Sequence, residues 1–482
     1  MLGLGFAALA VRATLHLLPD SMPRVQSIAV DTNVAVFAIV LALVTGAMCS
    51  VVPAFASFQA NLTESLKDSR STSRADHAWL RSGLVVSEIA VALVLVTVSA
   101  AFLRSLQKMR VVDPGFGADH VLVAGYQLPL QQYSTQASVD SFHHQVVERL
   151  SHKPGVVAAG ITNELPASGL VGGSAYTIEG EPTASWKLKF GMFSTASGDY
   201  FRAMGIPLIE GRYFTADDSA KTMPVMIVNE WMAKHCWPGQ QALGKRMHLG
   251  PPQNAKPWAT IVGIVADTKM GSRDEPTTGQ WYTPVEQPNT LYGRQFDGKL
   301  TDAVSGYITL RSTLPPEQMA QTLHATVAEI DPMLALQQVQ TMGDVRSSTE
   351  APRRFNTDLI TAFASGALLL AITGIYAVIA FSVAQRNHEI AIRMALGARR
   401  SDIARIALGF GVKLGLLGCA IGIAGSLAAS RLVTSFLFEV SATDPVIYAA
   451  SVTVMMAVAL MASAIPTSRA VAIDPMRILR AE

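Results

Sequence analysis

Residues 239–245 read Gly-Gln-Gln-Ala-Leu-Gly-Lys and have the spacing of a phosphate-binding loop. In such a loop the backbone N–H groups surround the phosphates, and a Ser or Thr after the lysine binds Mg²⁺. Here Arg246 follows the lysine, and Trp237-Pro238 stands where a buried strand should lead into the loop. We therefore reject a nucleotide site and predict a helix C-terminus followed by a turn.

A metal site or a catalytic site is the next class of chemistry to test. His143, His144 and Glu148 have helical spacing that could present metal ligands, but no further ligand is identifiable and histidines on a polar helix face are usually solvated. The cysteines, Cys49, Cys236 and Cys419, lie far apart and indicate neither a zinc site nor a disulfide framework. No Ser-His-Asp or Cys-His set can be assembled, so we predict no metal, no cofactor and no catalytic residue. The expectation is a protein that is not an enzyme.

The composition is that of a membrane protein. Of the 482 residues, 50% are hydrophobic and only 15% are charged, where soluble domains have about one quarter charged. The net charge of +2 gives no support for nucleic acid as a partner, since that partner requires a concentrated basic face. The lipid bilayer is the partner that this composition predicts.

Apolar runs long enough to cross a bilayer recur along the chain, since a span needs about 20 apolar residues. We predict six spans, at about 1–18, 33–56, 82–104, 358–384, 405–430 and 446–468. Residues 63–81 then form a cytoplasmic linker. A signal peptide is the alternative for 1–18, but that segment has no basic n-region and no convincing cleavage site.

Charge placement predicts the orientation of the spans. Three basic segments, Lys67–Arg81, Arg386–Arg405 and Arg469–Arg480, fall on one side when six spans are counted, and Lys and Arg in short loops stay on the cytoplasmic side. Arg104, Lys108 and Arg110 at the outer end of the third span oppose this arrangement. Residues of about 105–355 are then extracytoplasmic.

The extracytoplasmic block has the pattern of an α+β domain. Strand-like runs (VLVAGYQL, VVAAGIT, ATIVGIVAD and ALQQVQ) occur with amphipathic helices at Ser138–Leu150 and Pro315–Ile330. Strand, helix and strand occur twice in this order. We predict a split βαβ module with a second α/β subdomain around residues 180–270.

Two further features carry charge in or near the membrane. Glu88 is an acidic residue inside a predicted span, which we interpret as structural first and as a proton or coupling site second. In the stretch RNHEIAIRMALGARRSDI, Glu389 and Arg393 have the spacing of a helical ion pair, and Gly397 could end that helix. Ser401 with Asp402 is suited to cap the next helix. This stretch is either an interfacial turn or a short helix that transmits a movement to the membrane spans.

The chain also contains a repeat. Asp31–Pro53 and Asp444–Pro466 each enclose an uncharged membrane run, and each is followed by a short amphipathic tail. The chain therefore contains one complete membrane unit preceded by the end of another. Repeated membrane units are typical of transporter folds.

The stretch EIAIRMALGARRSDIARI resembles the cytoplasmic signature of FtsX-like permeases, although Ala391 stands where that family usually has glycine. SEIAVALVLVTVSAAFLRSLQKMRVVDPGF and IPTSRAVAIDPMRILRAE resemble the same family, and the block that contains PGQQALGKRM resembles the MacB-type periplasmic core domain. Because the end of another membrane unit precedes the complete one, the chain resembles a duplicated permease of the ADOP kind that begins partway through its first half. The resemblance implies three regions: the end of a first FtsX-like unit at 1–62, a MacB-like core domain at 105–355, and an FtsX-like permease domain at 356–482.

The resemblance also implies a function. In MacB-type proteins, ATP-driven dimerisation of cytoplasmic domains is transmitted through the spans to the periplasmic domain. The coupling segment would contain Glu389, Ile390, Ile392, Arg393, Ala395, Gly397 and Ala398. The implied partners are a separate cytoplasmic ATP-binding subunit, a second copy in a homodimer and a periplasmic protein, in a bacterial inner membrane. The alternative is a membrane-anchored periplasmic sensor or binding protein that works without an ATPase.

Overall fold

A computed structural model describes residues 35–40, 42–44, 46–47, 72–169, 172–181, 188–251, 257–287, 295–296, 299–300, 303–385, 392–393 and 399–471. The chain divides into two compact units. The membrane unit comprises Met1–Met109 and Pro352–Glu482, and the β-rich unit comprises Arg110–Ala351.

Eight helices and thirteen strands of the described residues carry the numbering used below. In chain order they are α1 (Thr72–Val111), β1 (Val121–Leu128), α2 (Gln136–Ser151), β2 (Val156–Thr162), β3 (Gly173–Ile178), β4 (Lys189–Gly198), α3 (Tyr200–Met204), β5 (Leu208–Gly211), β6 (Val225–Asn229), α4 (Glu230–Cys236), β7 (Arg246–Leu249), β8 (Ala259–Val265), β9 (Gln280–Pro284), β10 (Gln295–Phe296), β11 (Lys299–Leu300), β12 (Val304–Ser312), α5 (Pro316–Ile330), β13 (Gln337–Thr341), α6 (Met342–Gln385), α7 (Arg400–Val433) and α8 (Pro445–Val471).

The membrane unit is built from α1, α6, α7 and α8, which are the four helices in the described part of the chain that are long and apolar enough to cross a bilayer. A shorter apolar helix, Ala35–Val44, falls within the second predicted span. The first predicted span, 1–18, and residues 63–71 of the predicted linker lie outside the described residues. Each of the four helices exceeds the roughly 20 residues that a bilayer requires.

Glycines let α7 approach its two neighbours closely. A Cβ at Gly411 or Gly415 would meet side chains of α8, the nearest atom being Oγ of Ser463. On the next turns, a Cβ at Gly418 would lie 2.5 Å from a methyl carbon of Ile89 in α1, and Gly422 is similarly close to α1. Both pairs have the four-residue spacing that brings membrane helices into van der Waals contact. Helix α7 is therefore packed between α1 and α8.

Basic side chains near the C-terminal end of α1 bind the segment between α7 and α8. Arg104 forms an ion pair of 2.7 Å with Asp444, which precedes α8. Lys108 donates to the carbonyl of Glu439. These two side chains were among those that opposed the orientation expected from the basic segments. Their charges serve a specific contact within the unit.

The first part of the β-rich unit is a split βαβ sheet. Its strands lie in the order β13-β1-β12-β2, and β12 is antiparallel to both β1 and β2. Helices α2 and α5 pack on one face, where α2 buries Val139, Phe142, Val146 and Leu150. This arrangement confirms the predicted strand-helix-strand repeat, because each helix connects two strands that are separated by one other strand.

The second part of the β-rich unit is a closed barrel. The sheet continues from β2 to β4 and through β3, β7, β8, β6 and β9, and β9 then pairs in parallel with β4. Trp281 is 1% exposed inside, in edge contact with Tyr176. The fold class is confirmed as a multi-span helical protein with a large α+β unit, although closure of the barrel was not predicted.

The stretch that resembles a phosphate loop is a turn. Residues 239–245 lie between α4 and β7, and both Gly239 and Gly244 have positive φ angles. A phosphate loop would have to open into a helix N-terminus, and here it leads into a strand. The structure agrees with the rejection of a nucleotide site here.

A buried ion pair joins the two ends of the β-rich unit. Arg273 and Glu350 are each 8% exposed, and their side chains approach to 3.3 Å. The guanidinium of Arg273 also donates to the carbonyl of Arg110, at 2.7 Å. Arg110 belongs to α1 and Glu350 to α6, so one side chain holds the first and last helical turns of this unit together.

Removing one partner of this pair is expected to destabilise the β-rich unit. Glu350→Leu leaves the Arg273 charge buried without its partner, which costs about 3–5 kcal/mol in comparable sites. The double variant Arg273→Met/Glu350→Leu should recover most of that loss, because no buried charge remains. Urea unfolding of the full-length protein in detergent, followed by tryptophan fluorescence, measures both.

The exposed pair Glu230–Lys234 provides the control. Lys234→Met should change the unfolding free energy by less than about 1 kcal/mol. A Glu350→Leu variant that is no less stable than Lys234→Met would contradict a structural role for the buried pair.

Candidate functional site

The predicted coupling segment lies between α6 and α7. Ile392 and Arg393 are the two of its seven predicted residues that the structure describes, and both are helical and exposed. The other five, Glu389, Ile390, Ala395, Gly397 and Ala398, lie outside the described residues. The role of the segment therefore stays a prediction.

The start of α7 is capped close to the predicted place. The Asp402 carboxylate accepts a hydrogen bond of 3.2 Å from the backbone N–H of Arg399. The helix begins at Arg400, so Arg399 is the N-cap residue and Ser401 lies inside the first turn. Asp402 is thus confirmed as a capping residue, whereas Ser401 is not the N-cap. A carboxylate in this turn also interacts favourably with the helix dipole.

Two arginines hold the end of α6 that leads into the coupling segment. The guanidinium of Arg81 in α1 lies 4.0 Å from the centre of the Phe381 ring. Arg469 of α8 donates to the hydroxyl of Tyr376, at 2.8 Å. We name these two contacts the arginine clamps. They tie α6 to both neighbours within about three turns of its last residue, Gln385.

Glu88 packs directly on the backbone of α6. A Cβ added to Gly374 would collide with Oε2 of Glu88, so the carboxyl group fills the space that a side chain would occupy. This oxygen is buried and has no hydrogen-bond partner among the described residues. The contact lies within about two helical turns of the clamp residues Tyr376 and Phe381. The Glu88 carboxyl is therefore part of the α1–α6 interface.

His143 is buried, which corrects the expectation that it is solvated. Its side chain is 4% exposed, and Nε2 shares a hydrogen bond of 2.7 Å with the hydroxyl of Tyr126. His144 is exposed and lies 3.7 Å from Glu148. Burial lowers the pKa of His143 to about 4, so its ring is neutral at physiological pH.

The metal interpretation of these histidines has no structural support. Across the described residues, no group of three or more His, Cys, Asp or Glu side chains could hold a metal ion. Cys236 and Cys419 are free thiols in the two different units, and Cys49 lies outside the described residues. The sequence contains a signal for the burial of His143, because His143 lies on the same apolar face of α2 as Val139 and Val146.

Two family models match this chain. The MacB-like periplasmic core domain matches residues 82–326, which is half of the chain, and the FtsX-like permease C-terminal domain matches residues 361–475. The chain belongs to the MacB/FtsX-like permease family. The second match includes the whole predicted coupling segment and both clamp residues of α6. Permeases of this family are membrane proteins with a non-enzymatic role in transport, which agrees with the expected class.

Curated relatives of this permease are export proteins. A probable export ATP-binding/permease protein MacB of Pseudomonas entomophila is 28% identical over 249 residues, which cover 50% of this chain and 34% of the relative. A macrolide export ATP-binding/permease protein MacB of Chromobacterium violaceum is 24% identical over 286 residues, covering 59% and 42%. The permease thus spans about a third to two fifths of the length of these relatives.

Solved structures similar to the permease are extracytoplasmic domains. The periplasmic region of MacB from Actinobacillus actinomycetemcomitans is 13% identical, covers 51% of this chain and 98% of that one, and has a TM-score of 0.32. The extracellular domain of the noncanonic ABC-type transporter YknZ from Gram-positive bacteria is also 13% identical, covers 46% and 100%, and has a TM-score of 0.30.

Sequence reasoning missed Gly374, Tyr376 and Phe381 as partners of charged side chains. A lone glycine in the apolar run ITGIYAVIAF was a signal of close helix approach. The partner could not be predicted, because nothing in the sequence shows which helix lies against that face.

The Glu88–Gly374 contact predicts that a single added methyl group displaces the Glu88 carboxyl. Gly374→Ala should displace the Glu88 carboxyl, which is the end of a flexible side chain, and lower the unfolding free energy of the detergent-solubilised permease by no more than about 1 kcal/mol, measured as a small fall in melting temperature. Gly366→Ala, on the same helix, should be neutral because a Cβ there meets nothing within 4 Å. Adding Glu88→Ala to Gly374→Ala should restore stability, and a double variant as unstable as Gly374→Ala would refute the contact.

His143 predicts a pH dependence with a defined sign. Because its pKa is lower in the folded protein than in the unfolded chain, its contribution to stability is present above pH 6.5 and is lost as the pH falls toward 4. Between pH 7 and pH 5 the wild type should lose about 2 kcal/mol more unfolding free energy than His143→Gln. Urea unfolding of both full-length proteins at the two pH values measures the difference.

The carboxyl groups near His143, Asp140 and Glu286, titrate in both proteins. Their contribution therefore cancels to first order when wild type and variant are compared. Equal pH dependence of the two proteins would show that His143 is not buried in its neutral form.

Proposed function

We propose that this permease is the mechanotransmission subunit of an ABC-type transport system in a bacterial inner membrane. A separate cytoplasmic ATPase would dock on the coupling segment, and its ATP-driven movement would reshape the β-rich unit in the periplasm for export. The observation that carries the proposal is the FtsX-like permease match over residues 361–475, which contains the coupling segment. The export names of the relatives support the direction of transport.

The first mechanical step takes place at the cytoplasmic end of α6. A force on the coupling segment would reach α6 and α7 together, because the segment connects them. The arginine clamps would transmit a displacement of α6 to α1 and α8. The glycine contacts would transmit a displacement of α7 to the same two helices. The four helices would then move as one packed body, since close-packed interiors transmit strain.

The second step takes place where α6 begins. Strand β13 ends at Thr341 and α6 starts at the next residue, so no loop separates them. The Asp344 carboxylate accepts hydrogen bonds from the backbone N–H and the hydroxyl of Thr341, at 3.1 and 2.7 Å. Because β13 pairs with β1 at the edge of the sheet, a displaced α6 would act directly on that edge.

Capture of the ATPase tests the proposal. The tagged permease is purified from gently solubilised native membranes, and co-purifying proteins are identified by mass spectrometry. We expect an ATP-binding subunit with the wild type and its loss with Arg393→Glu, because the reversed charge would disrupt the exposed docking surface. Arg354→Glu, an exposed position near the opposite end of the α6 span, is the matched control and should retain the subunit.

Two outcomes would change the proposal. An ATPase that is retained by Arg393→Glu would remove the coupling segment as its docking site. Absence of an ATPase from every sample would favour the alternative function, a membrane-anchored periplasmic sensor or binding protein. Tryptophan fluorescence of the purified variants confirms that each remains folded.

A further inference from the structure

A large cleft in the β-rich unit is not used by the proposed coupling. It has a volume of about 690 Å³ and lies between helix α2 and the segment 214–221. Ser197, Gly198 and Asp199 at the end of β4 also line it, together with Glu286. Every lining residue belongs to the described part of one unit.

The segment 214–221 is held in place by specific side chains. Asp218 is 5% exposed and forms a two-pronged ion pair with Arg212, with distances of 2.7 and 2.8 Å. The buried Gln287 accepts from the N–H of Val225 and donates to the carbonyl of Ser219, at 3.1 and 2.9 Å. One wall of the cleft is therefore preformed, as in most small-molecule sites.

Carboxyl groups dominate the charge of the cleft. Asp140, Glu148, Asp199 and Glu286 line it together with the ammonium group of Lys221, and Asp199 is also paired with Arg202 at 3.2 Å. Burial raises the pKa of Glu286 to about 7 and that of Asp140 to about 6, and the charge of Asp140 adds to the effect on Glu286. A bound cation would offset this repulsion and stabilise the ionised forms of both groups.

Two buried polar side chains add an independent indication of a ligand. Ser197 is 3% exposed, lines the cleft, and its hydroxyl has no hydrogen-bond partner among the described residues. His143 lines the same cleft, and Tyr126 occupies its Nε2, which leaves Nδ1 without a partner in the described chain. Buried polar groups are nearly always hydrogen-bonded. The unpartnered Ser197 hydroxyl and His143 Nδ1 therefore indicate that a ligand supplies their hydrogen bonds.

Apolar side chains lie on both sides of the cleft. Val147 of α2 lines the cleft together with Phe214, Ala216 and Ala220. The volume falls within the range of about 300–1,000 Å³ typical of small-molecule sites. An occupant therefore needs a positive charge, a hydrogen-bonding group and a hydrophobic body.

We propose that this cleft binds a small organic ammonium ion. The ammonium group would lie between Asp140 and Glu286, Ser197 and His143 would accept or donate hydrogen bonds, and the hydrophobic body would contact Phe214. A metal ion does not fit, because three or more suitable ligands do not converge anywhere in the described chain. An anion would be repelled by the ionised carboxyl groups of Asp140 and Glu286. The site does not depend on an ATPase, since binding requires the β-rich unit alone to be folded.

The test uses the full-length permease in lipid nanodiscs without nucleotide. The probe is 4-phenylbutylamine, and its uncharged analogue 4-phenylbutan-1-ol is the matched control ligand. Hydrogen-exchange mass spectrometry is expected to show protection of peptides that cover residues 139–148 and 214–221 with the amine alone. Titration of that protection gives the dissociation constant.

Variants then test the charges. Asp140→Asn/Glu286→Gln should weaken amine binding at least about tenfold, because the paired charge is lost. Lys221→Gln should strengthen it by a few-fold, since it removes the repelling ammonium group. Glu317→Gln, an exposed carboxyl on α5, is the matched control and should change nothing.

Clear outcomes would overturn the proposal. Equal protection by the amine and the alcohol would exclude charge recognition, and protection confined to other peptides would exclude this cleft. Unchanged amine affinity in the Asp140→Asn/Glu286→Gln variant would exclude these two carboxyl groups as the ammonium-binding site. If the double variant fails to fold, the Lys221→Gln variant still tests the proposal. Amine binding by Lys221→Gln that is unchanged or weaker would contradict an electrostatic site. These outcomes are independent of whether an ATPase is captured.

Discussion

The hydrocarbon core of the bilayer is the constraint on which the membrane unit depends. Inside it every backbone polar group must be satisfied within its own helix, and hydrophobic burial gives no driving force between helices. Close approach at small residues must therefore supply the packing. Gly411, Gly415, Gly418 and Gly422 provide it for α7, and Gly374 provides it for α6. At Gly374 the space is occupied by the Glu88 carboxyl, which turns a packing site into a polar one.

The β-rich unit follows a different rule, because its strands pair with one another and bury their side chains away from water. Its split βαβ sheet and its barrel share one continuous path of strands through β2 and β4. The unit starts and ends with helical turns, and the Arg273–Glu350 pair holds those turns together. A buried pair of this kind adds little net stability but strongly disfavours arrangements that separate its partners. It therefore fixes the positions of these two helical turns relative to each other.

Periodicity and apolar length predicted most of this architecture. The helices around Ser138–Leu150 and Pro315–Ile330 and the four described spans follow directly from spacing, because each buries one face or crosses a bilayer. Barrel closure could not be predicted, since pairing of β4 with β9 is set by tertiary structure. His143 was misjudged because its neighbour His144 suggested a polar face, whereas Val139 and Val146 place it in the apolar stripe. The residues of the coupling segment were predicted from the family resemblance. The clamp residues on α6 were found only in the structure.

Four arginines make specific side-chain contacts within the two units. With 15% charged residues, Arg81 and Arg469 hold one end of α6, Arg104 holds Asp444, and Arg273 holds Glu350. The cleft beside α2 differs, since its carboxyl groups exceed the cations that line it and burial raises the pKa of Asp140 and Glu286. The excess of carboxyl groups over cations along this cleft is the basis for proposing a positively charged ligand. We therefore propose separate roles for the two features: the cleft would bind a ligand, and the helix contacts would transmit force.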